Sequence, residues 1–157
     1  NQDRSLCNAD LILMGNYYLK QSESSQLCGF HLEAYIAHIH CTAKSFDDTD
    51  WELISQLYNK LLLDNANPFI ELNYAIALYF SGEKDRAFDI LHRLERQPYM
   101  KKYFLLNATI GRFYANDSNP NAIIYLEKAK QQTNSIVEKH FIEKIIGKLP
   151  GGGKTAG

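Results

Sequence analysis

An all-α fold of antiparallel helical hairpins, about eight helices in all, is what this 157-residue sequence predicts. Three observations predict it. Apolar residues recur at i, i+3 and i+4 along nearly the whole chain, and no segment sustains the period-two alternation of a strand. Helix-starting residues, Thr49, Asn67, Asn119 and Ser135, stand just ahead of such stretches. The loops between the later helices are short, so successive helices return alongside one another.

In chain order, the first two helices are expected at Asp3 to Lys20 and Gln26 to Ala43. The third, Asp50 to Leu63, opens on Thr49-x-x-Glu52, a capping box in which side chain and backbone satisfy each other's orphan groups. Asp47, Asp48 and Asp50 put negative charge where the helix dipole favours it. Trp51, Ile54, Leu57, Tyr58 and Leu61 form one apolar stripe on this helix, read as core and capping contacts. The fourth helix, Pro68 to Phe80, follows an Asn67 cap, with proline at the first position, where its missing N–H costs nothing. Its apolar character on nearly every face implies a central helix with neighbours on both sides. Glu83 to Glu95, Pro98 to Ala115 and Pro120 to Thr133 follow, the last after the Asn119-Pro120 pair. Ile136 to Lys148 closes the series behind a second capping box, Ser135-x-x-Glu138, with Val137, Phe141 and Ile145 expected as a core stripe. Residues 1–149 thus read as one helical domain and 150–157, PGGGKTAG, as a flexible tail.

Composition narrows the class. A chain of this length buries roughly two-thirds of its unfolded surface and holds a core without disulfide or metal staples. The 12% aromatic content, with ten tyrosines, suits bulky packing between helices. A formal net charge of −1, with no run of lysine and arginine along one expected face, argues against direct DNA binding. Three cysteines, Cys7, Cys28 and Cys41, have no disulfide-framework spacing, as expected in a reducing compartment. No apolar run approaches the ~20 residues of a membrane span, and the cytoplasm is the expected location.

The chemical constellations point away from catalysis. Cys28, His31, His38 and Cys41 invite a zinc reading, but on one helix the outer pair lie ~20 Å apart, too far to share an ion with bonds near 2 Å. No metal or cofactor is therefore expected. The aspartates at 47, 48 and 50 read as helix-start charge, and no local Ser/His/Asp or Cys/His signature supports a nucleophile. The tail's GGGKT resembles a phosphate loop only superficially, because Lys148 stands where a true loop has glycine and a helix precedes it.

The later helices carry a repeat. Gly82 followed five residues on by Ala87, with Ala75 near the helix crossing and Leu91 on the buried stripe, resembles a tetratricopeptide unit. Ala122 aligns with Ala87 at an offset of 35 residues, near the ~34 of that motif, and Leu126 and Ala129 fall on further motif positions. Glu71 stands in place of the motif's tryptophan and Asp117 in place of its loop glycine. Two units, Asn67 to Arg96 and Gln97 to Thr133, imply a right-handed tetratricopeptide-like array. Asn73 then occupies a position that many such domains use to grip a peptide backbone. Asn107 lies one place from the equivalent position, and Tyr74, Tyr103 and Tyr114 are candidate groove aromatics.

A wider resemblance rests on QDRSL at Gln2 to Leu6, the helix around Tyr35 to His40, DTDW at Asp48 to Trp51, LNYAIA at Leu72 to Ala77, and the block Asp47 to Leu91. In this order and spacing they resemble the C-terminal extension of extracytoplasmic-function RNA polymerase sigma factors, whose tails carry a tetratricopeptide-like array. Cys7 departs from a tryptophan usual there, and Tyr74 from an arginine. The resemblance implies a non-enzymatic regulatory domain of a longer bacterial protein, touching its own sigma regions or core polymerase. A stand-alone peptide-binding adaptor and a small-ligand sensor are the alternatives.

Overall fold

In the computed structural model, which describes residues 48–64 and 66–151, every regular element is an α-helix. We number them α1 (Trp51–Asp64), α2 (Pro68–Phe80), α3 (Lys84–Glu95), α4 (Pro98–Lys101), α5 (Phe104–Asn116), α6 (Ala122–Gln132) and α7 (Ile136–Gly147). The all-α expectation therefore holds over the described residues. The two helices expected before residue 47 lie outside them. The chain divides into two compact units, Asn1–Ala87 and Phe88–Gly157, the division falling inside α3.

In the first unit, α1 starts one residue later than the expected cap. Asp50, not Thr49, takes the capping role, its Oδ1 accepting from Leu53 N at 3.0 Å. A carboxylate is the better acceptor at a positive helix end. The predicted stripe faces inward: Ile54, Leu57 and Leu61 are buried with Ala77 of α2, and Trp51, Leu53, Tyr58 and Ile70 pack against them. Trp51, at the start of α1, meets Phe80, at the end of α2, with ring centroids 4.9 Å apart, so the two helices run antiparallel. Asn67 caps α2 as expected, Oδ1 accepting from Phe69 N at 2.8 Å. Six of the thirteen residues of α2 are buried, on most of its circumference.

The turn after α2 is set by Gly82, at φ +101°. Glu83 N donates to Leu78 O at 2.9 Å and Gly82 N to Tyr79 O at 3.2 Å, the paired bonds of a Schellman motif. The same motif recurs after α5. Asn119 N donates to Tyr114 O at 2.8 Å and Ser118 N to Ala115 O at 3.1 Å, with Ser118 at φ 56°. The sequence reading put Asp117 in the glycine's place, whereas the left-handed position falls on Ser118.

In the second unit, the expected helix Pro98 to Ala115 is interrupted at Lys102 and Tyr103. Lys101 O accepts from Asn107 Nδ2 and from Gln132 Nε2, each at 3.0 Å. A carbonyl turned toward two side-chain amides is diverted from the helix ladder, and the chain breaks there. Helices α5 and α6 then cross closely. A Cβ on Gly111 would lie 2.7 Å from Leu126 Cγ and 3.1 Å from Leu126 N. Asn119 starts the return, its Oδ1 accepting from Asn121 N at 2.9 Å, and one turn of i to i+3 bonds delays regular α6 to Ala122.

The core of this unit gathers Ala122, Leu126, Ala129 and Ile142, with Phe104, Ala108, Ile145 and Ile146 packed around them. Ser135 caps α7 through a bond from Glu138 N at 3.3 Å. The reciprocal arm runs through Thr133, which bonds the Glu138 carboxylate and receives Ser135 N at 3.1 Å. The expected inward stripe of α7 is corrected: Val137 is 78% and Phe141 50% exposed, while Ile142 is fully buried. Six of the twelve residues of this helix are apolar and they are spread around it, so periodicity does not choose a face; packing against α6 selects Ile142.

These contacts fix the sign of three substitutions. Gly82→Ala, forced into left-handed backbone, should lower stability by about 1–2 kcal/mol, and Ser118→Gly should raise it by up to about 1 kcal/mol. Gly111→Ala gains about 1 kcal/mol in helix propensity. Overpacking against Leu126 costs about 1–3 kcal/mol, so a net loss is expected. Urea midpoints measure all three, and a stabilised Gly111→Ala would contradict the close crossing.

Candidate interaction site

The four residues singled out from sequence, Asn73, Tyr74, Asn107 and Tyr114, fall on two helices, α2 and α5, in quite different surroundings. Asn73 is exposed on α2, and its side chain makes no hydrogen bond among the described residues. Tyr74, beside it, is buried, and its hydroxyl accepts from Arg86 Nη2 at 2.9 Å. Arg86 Nη1 in turn reaches both oxygens of Glu83, at 3.1 and 3.2 Å. The hydrogen bond to Glu83 first, and then the neighbouring Tyr74, hold the guanidinium above its ordinary range. One guanidinium nitrogen is shared between the two carboxylate oxygens while the other reaches Tyr74, so the arginine ties the two residues together without the paired two-nitrogen fork. Together with Glu52, Ser55, Gln56 and Asn59, these side chains line a polar recess of about 260 Å³ in the first unit. An arginine therefore does stand over position 74, supplied by α3.

Asn107 is fully buried and works as an internal tie. Its Nδ2 donates to Lys101 O at 3.0 Å and to Gln132 Oε1 at 2.7 Å, joining α5 to the ends of α4 and α6. Its Oδ1 is buried without a hydrogen-bond partner among the described residues. This asparagine is not on a surface that a partner reaches.

Tyr114 belongs to a hydrogen-bonded aromatic cluster in the second unit. Its hydroxyl lies 2.9 Å from His92 Nε2, and His92 Nδ1 lies 3.2 Å from Glu95 Oε2. A carboxylate only accepts, so Nδ1 donates to Glu95, which leaves Nε2 to pair with the Tyr114 hydroxyl, a group that both donates and accepts. Phe88 stacks on Tyr114 at 5.1 Å, and Tyr125 meets it edge-on at 5.5 Å. Burial raises the phenol pKa of Tyr114, with Glu95 adding to the effect. Tyr125 is pushed further up, by burial first and then by its hydrogen bond to Glu95. Both phenols thus stay neutral donors, which suits a fixed scaffold. Only the i, i+3 spacings Glu83–Arg86 and His92–Glu95 could have been picked out from sequence; Tyr125, Gln132 and the Tyr74–Arg86 contact lie too far along the chain.

Also in the second unit, a mostly apolar cleft of about 570 Å³ runs between the α5–α6 turn and the end of α7, its lining including Pro120, Ile123, Glu127, Ile146 and Leu149. Among the described residues, no three His, Cys, Asp or Glu side chains gather as a metal site would require. Cys28, His31, His38 and Cys41 lie outside those residues. No described helix is long and apolar enough to cross a membrane. The chain matches no family model, no curated protein and no solved structure.

Two outcomes follow. Asn107→Ala leaves Lys101 O and Gln132 short of a partner and should lower stability by about 1–3 kcal/mol, read from urea unfolding. The raised tyrosine pKa values make stability depend on pH above about 10. Their stabilisation is complete below the unfolded phenol value of about 10 and is lost as pH climbs through the folded values. Stability should therefore fall from about pH 9.5 upward, and less steeply in Tyr125→Phe, as denaturant titrations at stepped pH would register.

Proposed function

We propose that this chain is a helical protein-interaction domain of tetratricopeptide-like build, and that it is the C-terminal regulatory extension of an extracytoplasmic-function sigma factor. The observation that carries this reading is a recurrence. Ala87, Leu91 and Leu94 are buried, and so are Ala122, Leu126 and Ala129, each 35 residues further on. Left-handed turns at Gly82 and Ser118 precede the two sets. Small and aliphatic residues repeated at one spacing behind one kind of turn support stacked helical hairpins, whose use is binding. The words QDRSL, DTDW and LNYAIA support the sigma-factor assignment.

In this reading the domain contacts the sigma regions of its own parent or core RNA polymerase and sets the activity of the promoter complex. It neither grips DNA nor carries out chemistry. Asn73, exposed and unengaged among the described residues, and Tyr74, set beneath Arg86, are its contact candidates in the first unit. A stand-alone peptide-binding adaptor is the second reading. The open apolar face of α7 favours it, since that face needs no sigma region to have a use.

The test is a titration of the labelled full chain against the sigma regions of its parent and against core polymerase, at near-physiological salt. Saturable binding to either is expected. Asn73→Ala should weaken it while changing stability by no more than about 0.5 kcal/mol. Absence of binding to both, with unchanged in vitro transcription when the domain is removed, would overturn the sigma-factor reading and leave the adaptor.

A further inference from the structure

The outward side of α7 joins two kinds of residue that a solvated face does not need together. Val137, Phe141, Lys144 and Lys148 follow one another at spacings of four, three and four, so they form a single stripe, and all four are exposed. From α5, the Arg112 guanidinium carbon lies 6.0 Å from the centre of the Phe141 ring. That distance is within cation–π range. The acidic residues of α7 are committed elsewhere: Glu138 bonds Thr133, and Glu143 faces Lys130 at 3.1 Å and His140 at 3.7 Å. Arg112, Lys144 and Lys148 make no ion pair among the described residues. Three cations without counter-charge thus flank two exposed apolar side chains, in a chain whose formal net charge is −1.

We propose that this face of α5 and α7 docks an acidic protein segment bearing apolar anchors. Val137 and Phe141 cover the anchors, and Arg112, Lys144 and Lys148 meet the carboxylates. Aromatic residues and arginine are both enriched at protein interfaces, and a rim of unpaired cations selects partners of opposite charge. The alternatives fit less well. Three cations are few beside the 6–10 phosphate contacts, in round figures, of a protein that grips nucleic acid. Three exposed apolar residues on α7, Ile136, Val137 and Phe141, are short of the broad apolar face of a helix that lies in a membrane surface. The inference rests on the preceding reading only for the class of partner, a protein; it does not depend on which protein supplies the segment.

A random peptide library displayed on phage and selected on the full chain tests it, with the double variant Arg112→Glu, Lys144→Glu and the single variant Phe141→Ala as controls. All three positions are exposed, and circular dichroism checks that both variants fold. Enriched peptides are expected to combine aspartate or glutamate with leucine or aromatic residues. They should bind at least about tenfold more weakly to either variant, and more weakly as salt rises from about 0.05 to about 0.5 M. Failure to enrich, enrichment of sequences without acidic residues, or equal binding to wild type and variants would overturn the proposal. So would variant-sensitive binding of transfer RNA or phosphatidylserine vesicles in place of peptide. Acidic peptides captured by a chain that ignores sigma regions and polymerase would uphold this face and sink the sigma-factor reading. Sigma binding untouched by the variants, with no acidic peptide enriched, would do the reverse.

Discussion

Helices α5 and α6 close on one another at a point where residue 111 has no side chain. Leu126 stands where a Cβ would go, within 2.8 Å by one methyl and 3.1 Å by its own backbone nitrogen. Close packing at protein-interior density leaves no slack for an added methyl group there. Because the crossing is tight, Ala122 and Ala129, on the same side of α6 as Leu126, are drawn into the seam, and Ile142 of α7 completes the cluster. The rotation of α7 follows from that. With Ile142 inward, Val137 and Phe141 turn outward, and the only outward apolar stripe flanked by cations on this helix is a consequence of a glycine on α5. Shape at one contact thereby sets surface chemistry on a different helix.

The second constraint is polar. Lys101 O receives two amide donors, from Asn107 and Gln132, residues that lie 6 and 31 places further along the chain. Each neutral hydrogen bond adds about 1 kcal/mol, and breaking one inside the protein costs more than making it gains. By contrast, the surface pairs Glu83–Arg86 and Lys130–Glu143 are half exposed and contribute a few tenths of a kcal/mol each. The buried Oδ1 of Asn107 offsets part of the gain. What the tie secures is register: it stops the helix that begins at Pro98, restarts it at Phe104, and anchors the end of α6 to the break.

Much of this was legible in the sequence, for reasons that are local. Asn67 and Ser135 cap as expected because a short polar side chain ahead of a helix has one efficient use. The inward stripe of α1 was legible because its apolar residues fill one face only. The misses are places where a distant residue decides. Gln132 breaks a helix that periodicity reads as continuous through Lys102. Packing against α6, not spacing within α7, selects Ile142 over Phe141. Ser118 takes the left-handed position that Asp117 was expected to hold, a shift of one place that composition does not record. Of the candidate contact residues, Asn73 sits on the surface, while Asn107 is drawn inward by the tie it makes with Gln132.

The polar features of the second unit therefore divide by role. Tyr114 and Tyr125 have raised pKa values for one cause, burial beside Glu95, so they remain neutral donors throughout the ordinary pH range. Neutral, hydrogen-bonded groups in edge-on contact hold an arrangement; they offer little to an arriving charge. Arg112, Lys144 and Lys148 are the converse: exposed, and without an ion pair among the described residues. Had the chain needed only solubility at this face, the glutamates of α7 would serve best interleaved with its lysines. Instead Glu138 is spent on the helix cap and Glu143 on Lys130 of α6. The acids stabilise the helix's own start and its packing, and the cations that remain face solvent beside Phe141, which is the distribution expected where the missing negative charge comes from another molecule.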